Sequence, residues 1–94
     1  MALRAQRVHR VGHLDMLLNQ YQQLCHLHLV STAMLMQLDD FTDTLEDAGF
    51  HTHPIYAYVM HSRTMMYGFI RECSRALTAL RERLIRMMLR LHGI

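Results

Sequence analysis

Apolar residues recur at alternating steps of three and four along the first half of the chain, in a segment without glycine or proline. The segment runs from about His13 to Ala48, and seven of the ten positions on its stripe are apolar. The stripe consists of Leu14, Leu17, Tyr21, Leu24, His28, Ser31, Leu35, Leu38, Thr42 and Leu45. This spacing is typical of an α-helix that buries one seam, so we predict a helix over about residues 13–48.

The middle of this predicted helix is apolar on nearly every face. A second stripe lies beside the first and consists of Leu27, Val30, Met34, Leu38, Phe41, Leu45 and Ala48. A helix with two apolar faces must pack against more than one neighbour. We therefore expect this segment to contact another set of helices besides those of its own chain.

The second half of the chain carries the most regular pattern. From Met66 onward its apolar positions alternate steps of four and three without a miss, which is the coiled-coil period. The positions are Met66, Ile70, Cys73, Leu77, Leu80, Leu84, Met87, Leu91 and Ile94. We predict a second helix over about residues 54–92.

The two helices are separated by a short connection at about residues 49–53. Gly49 suits the end of the first helix, Thr52 or His53 suits a cap, and Pro54 suits a first helical turn. A short link between long helices predicts an all-α antiparallel hairpin that resembles a coiled coil. A lone hairpin leaves the second stripe uncovered, so we expect it to complete a four-helix bundle by dimerisation or on partner helices.

Composition agrees with one small helical domain. The chain has 94 residues, of which 51% are hydrophobic and 19% charged, with a single proline. This composition excludes disorder. The length lies near the lower limit at which a single core can be stable. No apolar run reaches the length of a membrane span and the N-terminus lacks a secretory core, so we expect an intracellular, cytoplasmic protein.

Residues 1–12 are predicted to form a basic arm or short helix interrupted at Gly12. Arg4, Arg7 and Arg10 precede the first acid, Asp15, a pattern similar to mitochondrial presequences. The mitochondrion is therefore the alternative location.

Charges are segregated along the predicted hairpin although the formal net charge is only +2. The connection end would carry Asp39, Asp40, Asp43, Glu46 and Asp47, and we expect Arg63 to pair with Asp39 or Asp43. The opposite end would carry the anion-binding candidates Arg81, Arg83, Arg86 and Arg90. Either the charged ends are simply solvated, or the arginine end docks on an acidic protein surface, nucleic acid or an anionic membrane.

The H-T-H-P string at residues 51–54 resembles the histidine motif of the JAMM zinc metalloproteases. That resemblance implies His51 and His53 as zinc ligands, with Ser62 as the family serine. The family has a downstream aspartate where this chain has Met65, and Ser62 lies one residue further along than the family spacing. These differences argue against a zinc protease. The sequence also contains no signature of a catalytic nucleophile or a phosphate-binding loop, so we predict a protein that is not an enzyme.

A second metal hypothesis involves Cys25, His28 and Cys73. The two residues of the first helix are three positions apart, and hairpin pairing would place Cys73 opposite His28. Such a group could hold zinc, copper or the edge of a haem. The alternative is that the cysteines are small core residues and His28 makes a single hydrogen bond.

Together these patterns predict a non-enzymatic interaction and assembly protein, an adaptor or small complex subunit, that needs no cofactor. Its expected partner is a second copy of itself or the helices of a larger protein complex. A metal- or haem-binding bundle and an arginine end on nucleic acid or membrane are the alternatives. The expected interface and core positions are Leu14, Leu17, Tyr21, Leu24, Leu27, Val30, Met34, Leu35, Leu38, Met66, Ile70, Leu77, Leu80, Leu84, Met87 and Leu91.

Overall fold

The structure is a computed structural model, which describes the backbone of residues 2–93 and the side chains of residues 12–93. Helix α1 spans Ala2–Asp47 and helix α2 spans Pro54–Leu91, and the described residues include no strand. The two helices pack against each other, which confirms the predicted all-α hairpin. Ile94 and the side chains of Arg4, Arg7 and Arg10 lie outside the described residues.

Helix α1 begins earlier than the spacing of apolar residues predicts. It starts at Ala2 rather than near residue 13, so residues 2–12 form one helix with the rest of α1. Gly12 lies inside this helix, where a glycine costs only about 1 kcal/mol relative to alanine. The surrounding alanine, leucine, glutamine and arginine residues are strong helix formers, which explains why one glycine does not end the helix.

The end of α1 follows the expected glycine signal. Gly49 has a φ of 80°, a left-handed conformation that favours glycine. The amide of Gly49 donates to the carbonyl of Glu46 at 3.0 Å, and the amide of Phe50 donates to the carbonyl of Leu45 at 2.9 Å. These two hydrogen bonds form a Schellman motif, which satisfies carbonyl groups that the end of the helix leaves free.

Helix α2 begins at Pro54 with a histidine cap. The backbone amide of Ile55 donates to Nδ1 of His53 at 3.1 Å, and the amide of Tyr56 donates to the carbonyl of His53 at 3.0 Å. Of the two predicted caps, His53 is therefore the one used. Within the H-T-H-P string, His53 and Pro54 thus have a structural role, because they start α2.

The chain divides into two compact units. The terminal unit comprises Met1–His26 and Arg75–Ile94, and the connection unit comprises Leu27–Ser74. In the terminal unit Leu17, Leu80 and Leu84 form a buried cluster, to which Leu14, Tyr21, Leu24 and Met87 add half-buried contacts. In the connection unit the buried side chains are Ser31, Thr42, Leu45, Val59 and Cys73.

Every position of the first apolar stripe of α1 is buried or half-buried. The same is true of each described position of the α2 stripe from Met66 to Leu91. We call these two stripes the seam. The second stripe of α1 behaves differently, because Leu27, Val30 and Phe41 are each more than two-fifths exposed.

Candidate functional site

An apolar groove runs between α1 and α2 within the connection unit. It contains two adjoining cavities of about 600 and 500 Å³, which share Met34, Tyr58, Ser62 and Met66. The α1 wall is formed by Leu27, Val30, Met34, Gln37 and Phe41. The α2 wall is formed by Tyr58, His61, Met65 and Phe69.

Helix geometry explains why the groove exists. Each α1 wall residue immediately precedes a seam residue, as Met34 precedes Leu35, and on α2 Tyr58 likewise precedes the buried Val59. One residue corresponds to about 100° of rotation in an α-helix, so the wall residues form a second stripe a quarter turn from the seam. Both helices therefore present a second apolar stripe with the heptad spacing of the seam itself.

The walls of the groove are open to solvent. Met34 is 47% exposed, and on α2 Tyr58 is 70% and Met65 is 63% exposed. Soluble monomers rarely expose a contiguous apolar patch larger than a few hundred square ångströms, and larger patches mark interaction sites. Large apolar side chains on both walls of the groove are therefore exposed in the connection unit.

Sequence reasoning identified the apolar residues of the α1 wall but missed Gln37 and the α2 wall. Tyr58, Met65 and Phe69 are absent from the predicted interface because only the most regular stripe of α2 was followed. The signal was present, since Met65 and Phe69 immediately precede the seam residues Met66 and Ile70.

Polar side chains occupy several positions of the α1 seam in the connection unit. Nε2 of His28 and Oγ of Ser74 are hydrogen-bonded at 3.1 Å, and the hydroxyl of the buried Thr42 donates to the carbonyl of Leu38 at 2.8 Å. His28 therefore makes a hydrogen bond across the hairpin, as the structural alternative to metal binding predicted. Ser31, only 4% exposed, is the third polar position of the α1 seam.

Charged residues connect the helices near the acidic end of the connection unit. Nη1 of Arg63 lies 3.5 Å from Oδ1 of Asp39, which confirms the predicted ion pair. The hydroxyl of Tyr56 donates to Oε1 of Glu46 at 2.8 Å. This hydrogen bond, followed by desolvation and the charge of Glu46, raises the pKa of Tyr56 above 10.0. The side chains of the ion pair are 30% and 39% exposed and the Tyr56–Glu46 hydrogen bond is exposed, so each contact adds little stability.

A different surface occurs in the terminal unit. A cleft of about 230 Å³ is lined by His13 and Leu17 of α1 and by Arg83, Arg86, Met87 and Arg90 of α2. We call it the arginine cleft. None of its three arginines forms a salt bridge with a carboxylate group of residues 12–93.

The arginine cleft contains only three of the four predicted anion-binding residues. Arg83, Arg86 and Arg90 are three and four positions apart and share one face of α2. Arg81 does not line the cleft, because two positions correspond to about 200° of rotation around the helix. Sequence reasoning missed His13, which reaches the cleft from α1.

The proposed Cys25, His28 and Cys73 ligand set does not form. Among the described residues no group of three or more histidine, cysteine, aspartate or glutamate side chains could hold a metal ion. Cys73 is buried in the seam, whereas Cys25 is exposed because it follows the seam residue Leu24 by one position. His51 and His53 likewise belong to no such group and lie beside the aromatic rings of Tyr56 and Phe50.

Comparisons of the chain with protein-family models, curated proteins and solved structures found no match. Within the described residues, neither helix has an apolar stretch that could cross a membrane. The groove and the arginine cleft are therefore the two features from which a function is inferred.

Proposed function

We propose that this chain is a non-enzymatic helical assembly protein whose apolar groove binds the same groove of a second copy. Two connection units would then contribute two helices each to a four-helix bundle. The observation that carries the proposal is the second apolar stripe on both helices, open to solvent along Met34, Tyr58 and Met65.

The exposed surface of the chain is large enough for such an interface. Its accessible area is 7409 Å² at a mass of 11.1 kDa. A compact globular monomer of this mass exposes about 5,700 Å², so this two-helix chain exposes roughly 1,700 Å² more than a compact globular one. A standard specific interface buries roughly 800 Å² per partner, which this excess can supply.

The chemistry of the groove favours a second copy as its occupant. The residues that line it include no aspartate, glutamate or arginine among those described. A partner that placed a charge against these walls would have to desolvate that charge without a counter-ion, which is unfavourable. A second copy presents an equally uncharged surface with the same heptad spacing, so its side chains can pack as knobs into matching holes.

The first test is the molar mass of the purified protein, measured by light scattering over a series of micromolar concentrations. We expect twice 11.1 kDa at the higher concentrations, with dissociation and a lower melting temperature on dilution. A stable, folded monomer throughout the series would contradict the proposal and would leave the helices of another protein as the occupant.

A pair of α2 variants localises the interface. Met65→Glu places a carboxylate on the groove wall, and we expect about a hundredfold or greater weakening of the dimer because that charge would be buried. Met88→Glu is the matched control, since Met88 is 45% exposed and belongs to the terminal unit. Equal dimer affinity in the two variants would place the interface elsewhere.

A further inference from the structure

We propose that the arginine cleft of the terminal unit is a binding site for a phosphate monoester group. Arg83, Arg86 and Arg90 would bind the phosphate oxygens, and His13 would contact the same group from α1. This site is separate in its residues from the assembly groove and does not depend on dimerisation.

The base of the cleft is rigid. Leu17, which lines the cleft, is 2% exposed and belongs to the buried cluster with Leu80 and Leu84. Met87, another lining residue, packs against the same cluster. Because both helices are fixed at this point, the arginines that line the cleft start from backbone positions that do not need to reorganise when a ligand binds.

The charges in the cleft are uncompensated by the described residues. Three guanidinium groups share one small cleft, and none has a salt bridge to a carboxylate group of residues 12–93. Glu82 is the nearest acid in sequence, preceding Arg83 directly and Arg86 by four positions, yet it does not line the cleft. An anion would relieve the repulsion between the arginines, which gives the site its selectivity for negative charge.

The size and the donors of the cleft select the class of ligand. At about 230 Å³ it is smaller than the roughly 300–1,000 Å³ of pockets for drug-sized molecules, so it fits one anionic head group. The planar guanidinium fork of arginine matches phosphate oxygens in bidentate pairs. A phosphate monoester carries a charge of about −1.5 to −2 at neutral pH and so interacts more strongly with three arginines than a carboxylate does.

Titration with inorganic phosphate, followed by NMR of the His13 ring and the arginine side chains, tests the site directly. We expect saturable shifts at His13, Arg83, Arg86 and Arg90, with acetate at equal ionic strength producing much weaker ones. Absence of saturation, or equal binding of acetate, would overturn the proposal.

Two variants of equal charge separate the cleft from general electrostatics. Arg86→Gln is expected to weaken phosphate binding about tenfold, the loss expected for one charged hydrogen-bonding group. Arg81→Gln changes the net charge equally outside the cleft and should leave the affinity within twofold. Circular dichroism would verify that both variants fold, and equal weakening in both would show nonspecific attraction, which contradicts a defined site.

The source of the phosphate is identified by two further probes. Vesicles that contain phosphatidic acid present the group on a lipid, and adenosine monophosphate presents it on a nucleotide. If a probe binds to the protein and to Arg81→Gln but not to Arg86→Gln, the result supports the site and identifies the molecule that carries the phosphate. Failure of both probes to displace bound inorganic phosphate would contradict a monoester site.

Discussion

The two units of this hairpin use the same seam but differ at the position that precedes each seam residue. In the connection unit the residues at this position that line the groove are mostly apolar, such as Met34 and Met65. In the terminal unit the residues at this position that line the arginine cleft are polar or charged, such as His13, Arg83 and Arg86. A single stripe, a quarter turn from the core, therefore creates an apolar groove in one unit and a cationic cleft in the other.

This difference separates stability from function. Seam residues such as Leu84 in the terminal unit and Cys73 in the connection unit are buried, and each holds the two helices together within its own unit. The preceding stripe is exposed and contributes little to the fold of one chain, so its chemistry is free to select a ligand. We expect seam substitutions to change stability and stripe substitutions to change binding.

Leu80→Asp should produce the largest effect. Leu80 is 7% exposed in the cluster of the terminal unit, so the substitution buries a charge without a partner. We expect loss of the cooperative thermal transition observed by circular dichroism, since such changes cost more than about 4 kcal/mol. Ile85→Asp is the control, because Ile85 is 50% exposed, and near-native melting of Leu80→Asp would refute the seam register.

Leu84→Ala should have an intermediate effect. Removing a side chain that is 5% exposed leaves a cavity and is expected to cost about 2–4 kcal/mol. Leu89→Ala, at 42% exposure, should cost less than about 1 kcal/mol. Urea unfolding at one fixed protein concentration measures both, and similar losses would show that the two faces of α2 are not distinct.

Alanine substitutions at two glycines in different units should change stability in opposite directions. Gly49→Ala places a β-carbon at a φ of 80° and should destabilise the hairpin by about 1 kcal/mol. Gly12→Ala lies inside α1 with no atom within 4 Å of the new carbon, so it should stabilise by up to about 1 kcal/mol. Thermal melts compare them, and stabilisation by Gly49→Ala would contradict the Schellman motif.

The smallest expected effect is the dependence of stability on pH through Tyr56. The hydrogen bond from Tyr56 to Glu46 raises the pKa of Tyr56 above 10.0, so the neutral phenol is favoured in the folded state. Its contribution is fully present below pH 10.0 and is lost as the pH rises through the higher folded-state value. Ultraviolet titration of tyrosine should show that Glu46→Gln lowers this pKa; an unchanged titration would rule out the contact.

Much of the architecture was predictable from local rules. The heptad steps from Met66 to Leu91 led to the seam, and Gly49 and His53 marked the helix ends because glycine and capping residues act locally. The start of α1 was predicted wrongly, since one glycine was given more weight than the helix formers around it. The Cys25 ligand hypothesis failed because it ignored the rotation of about 100° that separates a residue from its neighbour.

The functional surfaces were only partly predictable. Both depend on which side chains from two helices lie beside one cleft, and a stripe on one helix does not contain that information. His13 joins Arg83 only through hairpin packing, and Arg81 is excluded only by its position around α2. Similarly, Met65 becomes a groove residue because Met34 lies across from it in the same cavity.

The central claim is that the apolar stripe of the connection unit binds a second copy, and one pair of α1 variants tests it most directly. Met34→Glu alters the groove wall, whereas Met36→Glu makes the same change two positions away at a methionine that is 64% exposed. Light scattering of the two purified variants at equal concentration gives their molar masses. We predict a folded monomer for Met34→Glu and a dimer for Met36→Glu, and equal masses would contradict the account.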